Sequence, residues 1–299
     1  MRIERENRRQ LNINGMILCA LVFFVIAGTA FCIVANSREK TAEVTAAERL
    51  AAQENKRAEM VKGFTQDVIN GQRKDTFSRR PGRKIGTSEP KKGEKVVYLT
   101  FDDGPSENTK KIIDILAKFN AKATFFITGS NEECRPYIQE AHNAGHTIGL
   151  HTYSHKYDEV YASEKAYFSD LDQVGKVAEE QIGYVPCFIR FPGGSSNIVS
   201  AKYKQGIMSS LSEKVQTEGY QYYDCNVDSG DGAGCGKEEI EANSKTDKMN
   251  HVMILFHDSQ TKGATVEALP AILKYYQDLG YEFKGIDTGS YVCHHGVKN

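Results

Sequence analysis

The pattern of apolar and polar positions begins with an uncharged apolar run from Gly15 to Ala35, preceded by an arginine-rich stretch. A helix needs about 20 apolar residues to cross a bilayer, and this run is long enough. Because positive charge stays on the cytoplasmic side, we predict a cytoplasmic basic tail over residues 1–14 and a single transmembrane anchor in the cell membrane over residues 15–36. The alternative is a signal peptide cleaved after Ala35, although the run is longer than a usual signal-peptide core.

Polar residues dominate the segment after the apolar run. From Ser37 to Met60 the chain is rich in Ala, Glu, Lys and Arg and lacks Pro and Gly, which favours a charged helix. Residues 71–92 are basic and contain prolines and glycines, a composition typical of a flexible linker. Together the two segments predict an extracellular stalk and linker over residues 37–92.

Regular alternation of short β-rich runs and amphipathic helical stretches begins near Lys95. The helical stretches place apolar residues three and four positions apart, as Ile112, Ile115 and Leu116 do. The strand candidates KVVYLTF, ATFFIT, HTIGLHT, CFIRF, YQYYDCNV, HVMILFH and YEFKGI start at Lys95, Ala123, His146, Cys187, Tyr220, His251 and Tyr281. Strands that alternate with helices form a parallel sheet covered by helices, so we predict an α/β fold over residues 93–299, a (β/α) barrel of about seven parallel strands.

Composition supports a globular body and excludes several classes of protein. Hydrophobic residues make up 40% of the chain and charged residues 26%, which rules out a wholly disordered or multi-span membrane protein. The 38 basic and 39 acidic side chains leave a net charge of −1, so the chain lacks a basic field and we predict no nucleic-acid partner. Nothing in the sequence indicates an oligomeric state. The chain contains 15 Tyr and 14 Phe but no Trp.

The cysteines follow no recognisable metal or disulfide spacing. An odd number of them lies outside the apolar run, which argues against a complete disulfide framework. A local pair between Cys225 and Cys235 stays open at this point.

Polar clusters occur where the predicted strands end. They are TFDDGP from Thr100, HTYSH from His151, RFPGG from Arg190, DSGD from Asp228 and LFHD from Leu255. The carboxyl ends of the strands in a parallel barrel meet on one face, where barrel enzymes carry out their chemistry. We therefore expect the five clusters to line one site.

Two of these clusters contain a candidate metal site. Asp102 and Asp103 are adjacent at a strand end and point in different directions, so one can bind a metal while the other acts as a base. His151 and His155 are four residues apart, which on a helical turn places both imidazoles on one face. Three protein ligands with open positions are typical of a catalytic Zn²⁺ site. Ordinary surface or core histidines are the alternative.

In this order and spacing, the five clusters resemble the five motifs of the polysaccharide deacetylase family, carbohydrate esterase family 4. The resemblance extends from Lys95 to Ile286, and five ordered motifs are far more specific than any one of them. With the predicted anchor, the chain further resembles membrane-anchored peptidoglycan N-acetylglucosamine deacetylases of Gram-positive bacteria. The resemblance implies a deformed (β/α) barrel as the catalytic domain over residues 93–299, and metal-dependent hydrolysis of N-acetyl groups.

The resemblance also implies roles for the residues of the first three motifs. Asp103, His151 and His155 would hold a divalent metal, with Zn²⁺ as the first choice and Co²⁺, Ni²⁺ or Mn²⁺ as alternatives. Such a metal polarises the acetamide carbonyl and acidifies a bound water. Asp102 would act as the general base, and Arg190 would pair with this base and keep it oriented.

The last two motifs would supply the general acid. His257 would protonate the departing amine, and a carboxylate partner would keep this histidine charged. Asp231 matches the partner, and Asp228 is the weaker candidate. We interpret Asp258 as a helix cap or a turn residue.

The resemblance implies a substrate-binding set as well. The backbone N–H that follows Pro192, that of Gly193, would stabilise the oxyanion. Leu255 would line the acetyl pocket, with an ordinary core leucine as the alternative. His142 and His146 are interpreted as surface residues and excluded from the site.

Three positions depart from the pattern of the family. Its fourth motif commonly ends in Trp, where this chain has Gly232, and an aromatic position just upstream holds Cys225. The third motif is glycine-rich in place of the more familiar Pro-Tyr form. We expect a more open substrate wall, or one built by Tyr222 or Tyr223.

These residues predict a deacetylase of an acetylated cell-wall glycan, with N-acetylglucosamine of peptidoglycan as the first choice. N-acetylmuramic acid, chitooligosaccharide and an exported polysaccharide are alternative substrates. A wall-binding protein with weakened catalysis is the alternative from another class. An iron oxygenase would normally place its ligands on a jelly roll, which the α/β pattern disfavours.

Overall fold

The computed structural model describes residues 48, 51–60, 62–63, 65–87, 89 and 91–299. The predicted cytoplasmic tail, the membrane anchor over residues 15–36 and the beginning of the stalk lie outside these residues. Among the described residues, no helix is both long and apolar enough to span a membrane. The chain divides into two units, Met1–Asp67 and Val68–Asn299. The described residues of the first unit are helical and almost entirely exposed.

The second unit begins with helix α1 (residues 68–77). Arg73 on this helix donates to the backbone carbonyls of His142 and His146. The ring of Phe77 makes an edge contact with the ring of Phe188, with ring centres 5.2 Å apart. Farther along, Ile85 is buried in the core. The prediction of a flexible linker over residues 71–92 is therefore wrong for the part up to Ile85, because its few apolar side chains pack onto the barrel.

Eight strands and seven further helices make up the described part of the second unit. The strands are β1 (Val96–Asp102), β2 (Ala123–Thr128), β3 (Thr147–Thr152), β4 (Phe188–Ile189), β5 (Gln221–Tyr222), β6 (Val227–Asp228), β7 (His251–His257) and β8 (Glu282–Phe283). The helices are α2 (Glu107–Lys118), α3 (Pro136–Asn143), α4 (Tyr157–Val160), α5 (Glu164–Ile182), α6 (Ile207–Thr217), α7 (Lys237–Ser244) and α8 (Gly263–Asp278). Helix α2 begins at a capping box, in which the Ser106 side chain accepts from the backbone of the first turn and Thr109 bonds back to the Ser106 N–H.

All strand pairs of the sheet are parallel, in the order β5-β4-β3-β2-β1-β7-β6, with β8 beside the start of β1. The predicted barrel of about seven parallel strands is confirmed along this path. The prediction that the run YQYYDCNV forms one strand is wrong. The run forms two short strands, β5 at one edge of the sheet and β6 at the other. Residues 223–226 cross between these edges and thereby curl the sheet into a barrel.

Side chains along each strand alternate between the barrel interior and the surrounding helices. On β1, Val97, Leu99 and Phe101 belong to the large hydrophobic cluster that the helices cover. Val96 and Tyr98 belong to a smaller separate cluster with residues of the other strands. The same alternation continues to the strand ends, where it turns polar side chains toward the mouth of the barrel.

Candidate active site

A cavity of about 320 Å³ opens at the carboxyl ends of the strands. Strand alternation helps to build it, because Leu255 and His257 are two residues apart on β7 and both face it. The residues that line the cavity come from all five polar clusters and from four other places in the chain: Asp102, Asp103, His151, His155, Tyr157, Arg190, Phe191, Gly193, Gly194, Ser196, Asp224, Cys225, Asp228, Leu255, His257 and His295. The structure thus brings the five clusters to one site.

Asp103, His151 and His155 form a compact set of candidate metal ligands. The Asp103 Oδ1 atom lies 3.6 Å from His151 Nε2 and 3.4 Å from His155 Nε2. Asp103 and His155 reach these positions with left-handed backbone, at φ of 73° and 53°. The expectation that both histidines share a helical turn is wrong, because His151 lies on strand β3, one residue before its end, and His155 lies in the loop after the strand.

The chemistry of this set fits a divalent metal. Asp103 Oδ1 is buried and has no hydrogen-bond partner, a cost that a bound cation removes. His151 Nδ1 lies 2.7 Å from the backbone oxygen of Arg190, so Nδ1 donates there and Nε2 keeps its lone pair for the metal. Burial lowers the pKa of His151, which keeps this imidazole in the neutral form that binds metals. One carboxylate and two imidazoles also leave positions open for water and substrate.

Asp102 is held on the cavity wall by Arg190. The Arg190 Nη1 atom donates to Asp102 Oδ1 at 3.0 Å, and both side chains are almost fully buried. The same Nη1 also donates to Thr100 Oγ1 at 2.6 Å, and the guanidinium lies 4.5 Å from the centre of the Phe126 ring. A guanidinium fixed in this way holds the Asp102 carboxylate in one orientation.

A second ion pair joins His257 to Asp231. His257 Nδ1 donates to Asp231 Oδ1 at 2.7 Å, while Asp231 Oδ2 accepts from the His257 backbone N–H and from Thr265 Oγ1, each at 2.7 Å. Burial by itself lowers the pKa of His257, but the hydrogen bond to Asp231 and the charge of Asp102 outweigh it and raise this pKa to about 9. His257 is therefore protonated at neutral pH, which is the form that a general acid needs.

The turn after β4 carries the third motif. Gly193 and Gly194 adopt φ of 73° and 76°, a region that glycine enters without strain. Gly193 lines the cavity, and a Cβ at this position would lie 2.5 Å from Tyr157 Oη. Pro192 is buried under the turn, where its carbonyl accepts from Tyr161 Oη at 2.8 Å. Of the predicted substrate-binding set, Gly193 and Leu255 line the cavity, whereas Pro192 lies behind it and holds the turn.

The expectation that Tyr222 or Tyr223 builds an aromatic wall is wrong, because both side chains are buried and neither lines the cavity. Tyr222 stacks instead on the ring of His294, with ring centres 3.7 Å apart. Tyr157 is the tyrosine that faces the cavity. At Gly232 a Cβ would lie 2.9 Å from His257 Cε1, so a side chain there would displace His257.

The two histidines interpreted as surface residues are buried, and so is Asp258, the residue interpreted as a helix cap or a turn residue. His142 and His146 are buried, and burial lowers the pKa of His142 to about 4 and that of His146 to about 3. Asp258 is buried as well, so that its pKa is raised to about 7, and it accepts from Thr109 Oγ1 at 2.5 Å. It ties the end of β7 to the start of α2.

The structure also shows which carboxylate pairs with His257 and whether Cys225 and Cys235 form a disulfide. Asp228 is exposed and accepts from the backbone N–H of Gly230 at 2.9 Å, whereas His257 pairs with Asp231. Cys225 and Cys235 are both free thiols, so their local pair is not formed.

Tyr157, Asp224 and His295 are among the cavity residues that are not assigned to the site from the sequence. Asp224 is buried and accepts from the backbone N–H groups of Ser195 and His295, each at 2.8 Å. Tyr157 lies two positions after the HTYSH cluster, so its closeness to a predicted ligand could have indicated that it lines the site. His295 is remote in sequence from every cluster, and no spacing in the sequence indicates it.

Comparisons with known proteins identify one family. Residues 89–206 match the family model described as polysaccharide deacetylase. The chain is 27% identical over 276 residues to the putative polysaccharide deacetylase YheN of Bacillus subtilis, covering 89% of this chain and 88% of that protein. It is 32% identical over 208 residues to a peptidoglycan-N-acetylglucosamine deacetylase of Bacillus cereus, covering 67% of this chain and 72% of that protein.

A solved structure gives the same answer at the level of the fold. The catalytic domain of a peptidoglycan N-acetylglucosamine deacetylase from Eubacterium rectale is 40% identical and superposes with a TM-score of 0.68. The superposition covers 71% of this chain and 98% of that domain. Sequence identity, barrel topology and the clustering of all five motifs around one cavity therefore lead to one conclusion: the chain belongs to the polysaccharide deacetylase family of hydrolases.

Proposed function

We propose that this protein is a metal-dependent N-deacetylase of cell-wall glycan that acts on the N-acetylglucosamine of peptidoglycan. One observation carries the proposal: a candidate metal set and two separate ion pairs, Asp102–Arg190 and His257–Asp231, surround a single cavity. Base, acid and metal are the groups that amide hydrolysis requires. The relatives from Bacillus cereus and Eubacterium rectale, named for this activity, support the choice of substrate.

The first half of the reaction needs an activated water. A divalent metal held by Asp103, His151 and His155 would polarise the acetyl carbonyl and lower the pKa of a water molecule toward neutral pH. Asp102 accepts the proton of that water as the oxygen attacks the carbonyl carbon. Because Arg190 fixes the carboxylate, the base is oriented before the substrate arrives.

The second half breaks the carbon–nitrogen bond and needs a proton for the leaving amine. Asp231 occupies Nδ1 of His257, so the other ring nitrogen, Nε2, donates its proton to the departing nitrogen. The Gly193 N–H stabilises the oxyanion of the tetrahedral intermediate. Leu255 offers apolar surface on the cavity wall to the acetyl methyl group. The products are acetate and a glycan with a free amine.

The donor set favours Zn²⁺ as the metal. Two imidazoles and one carboxylate with open positions are a common catalytic Zn²⁺ arrangement, and Co²⁺, Ni²⁺ and Mn²⁺ accept the same donors.

Location follows from the predicted anchor, and we include it in the proposal. Residues 15–36 hold the chain in the cell membrane with the N-terminus in the cytoplasm, so that the catalytic domain lies outside with its glycan substrate. Secretion after cleavage behind Ala35 is the competing outcome.

Acetate release from a panel of glycans tests the function. The full chain is stripped of metal with a chelator, reloaded with one divalent metal at a time, and incubated with peptidoglycan, chitooligosaccharide, N-acetylmuramic acid and an acetylated exopolysaccharide. We expect metal-dependent release from peptidoglycan and from chitooligosaccharide. Faster release from another sugar would reassign the substrate. Binding to cell wall without acetate release from any sugar, under any metal, would identify a wall-binding protein instead.

A further inference from the structure

The segment over residues 291–299 is fixed against the rim of the active-site cavity. Before His295, the Cys293 carbonyl accepts from the Asp224 N–H at 2.8 Å. After it, Asn299 accepts through its backbone oxygen from the Ser209 N–H at 2.7 Å and is itself buried. The backbone is thus tied down on both sides of His295, which limits where its ring can lie.

Asp224 determines where the His295 backbone sits. Its buried carboxylate accepts from the N–H of His295 at 2.8 Å, from the N–H of Ser195 at 2.8 Å and from Ser195 Oγ at 2.6 Å. One carboxylate therefore joins this segment to the turn that carries Gly193 and Gly194. Because that turn holds the proposed oxyanion donor, His295 is placed beside the reacting group.

The ring of His295 bridges two parts of the cavity wall. Its Nε2 atom lies 2.6 Å from the backbone oxygen of Cys225, so Nε2 carries the proton and donates there. Its Nδ1 atom keeps a lone pair, lies 3.3 Å from Ser196 Oγ, and would be 3.7 Å from a Cβ at Gly194. The side chain is 39% exposed and faces the cavity. The hydrogen bond from Ser196 Oγ to Nδ1 is long, so a hydroxyl group of a ligand can replace Ser196 as the donor.

We propose that His295 is a substrate-binding residue that accepts a hydrogen bond from a hydroxyl of the acetylated sugar and supplies ring surface beside it. The assignment rests on the proposed function. The ring supplies side-chain surface on a part of the wall where Gly193 and Gly194 contribute none. Added to the contacts that hold the acetyl group, a contact at Nδ1 would fix the rotation of the sugar about its acetamide.

Two variants of His295 and one neighbouring control test this assignment. His295→Ala removes the ring. His295→Gln places an amide N–H where Nε2 lies, which keeps the bond to Cys225 and removes the Nδ1 acceptor. His294→Ala is the matched control, since His294 belongs to the same segment but stacks on Tyr222 outside the cavity. Melting temperatures confirm that each metal-loaded full chain is folded.

Kinetics on two substrates separate sugar binding from catalysis. Chitooligosaccharide requires the sugar wall, whereas an aryl acetate such as p-nitrophenyl acetate carries the acetyl group without a sugar. In both His295 variants we expect the KM for chitooligosaccharide to rise about fivefold or more, as loss of one hydrogen bond implies, with turnover of the aryl acetate unchanged. The His294→Ala variant should match the wild type on both substrates.

The contradictory results are distinct. An active wild type with an unchanged KM in both His295 variants, or full restoration of KM by His295→Gln, would show that the ring only supports the fold. A wild type that hydrolyses the aryl acetate but no acetylated sugar would overturn the proposed function, and this assignment with it.

Discussion

Single residues at the end of β1 show how two adjacent carboxylates acquire different surroundings. Asp102 is the last residue of the strand and pairs with Arg190, while Asp103 follows with a φ of 73° and faces the two histidines. Strand geometry fixes the first side chain, and the left-handed turn redirects the second. The proposed division of labour between base and metal ligand follows from this one backbone change.

Substituting each of these aspartates separates their roles. In Asp102→Asn we expect the turnover number to fall by about 100-fold to 10,000-fold, because the base is lost, while Zn²⁺ still binds. In Asp103→Asn we expect loss of Zn²⁺ binding, measured by calorimetry, together with loss of activity. Equal Zn²⁺ affinity in the two variants would contradict the assignment.

The ion pair between His257 and Asp231 sets the alkaline limit of activity. Only the protonated form of His257 can act as the acid, so activity should fall as the pH rises through its pKa of about 9. Asp231→Asn removes the carboxylate that raises the pKa of His257, whereas the burial that lowers this pKa remains. We therefore expect the alkaline limb of the pH–activity profile to move down by about 2 pH units. Asp228→Asn is the control, because Asp228 is not the partner of His257, and should leave the limb in place. If the alkaline limb lay at the same pH in the wild type and in both variants, His257 would not be the general acid.

At the scale of elements, the turn after β4 combines a left-handed glycine backbone with the proposed oxyanion donor. Gly193 has a positive φ and no room for a Cβ beside Tyr157, whereas Gly183, at the end of α5, has a φ of 80° and open space around it. The two glycines thus share a backbone conformation but differ in surroundings.

Alanine at each of these glycines tests the turn. Both Gly193→Ala and Gly183→Ala should lose stability by about 1 kcal/mol or more, from left-handed strain. Only Gly193→Ala should lose most of its deacetylase activity, because Tyr157 and the proposed oxyanion donor must shift. Thermal melts and acetate release measure the two effects. Full activity in a folded Gly193→Ala variant would exclude the turn from catalysis.

Elements with long apolar runs could be predicted from the sequence, whereas the division of one run into two separate strands could not. The runs at β1 and β7 are seven residues long, buried, and bounded by polar clusters. By contrast, β5 and β6 are two-residue strands within one run, and their separation depends on which edges they pair with. The positive φ of His155 has no signal in the HTYSH spacing, so a helical turn is the natural but wrong interpretation.

At the scale of the whole molecule, the parts least predictable from the sequence are those that depend on distant contacts. Residues around Phe77 and Ile85 have the composition of a linker, yet they pack on the barrel. His295 reaches the cavity only because Asp224, 71 positions away, accepts its N–H. Local patterns predict the strand-end clusters, whereas contacts of this range follow from the completed fold.

Anchoring is the prediction that concerns the molecule as a whole. We expect the full chain to remain in the membrane fraction after an alkaline carbonate wash, since an apolar run of about 20 residues crosses the bilayer. A variant without residues 15–36 should not be retained. N-terminal sequencing of the mature chain is the decisive control, because a mature N-terminus directly after Ala35 would show cleavage and contradict the anchor.

The most direct test of the central claim is mass spectrometry of peptidoglycan fragments after incubation with the metal-loaded full chain. We predict that fragments lose the mass of an acetyl group from N-acetylglucosamine, and that a chelator or the Asp102→Asn substitution prevents this loss. Fragments of unchanged mass with the wild-type chain and Zn²⁺, or the same loss of mass with the Asp102→Asn variant, would contradict it.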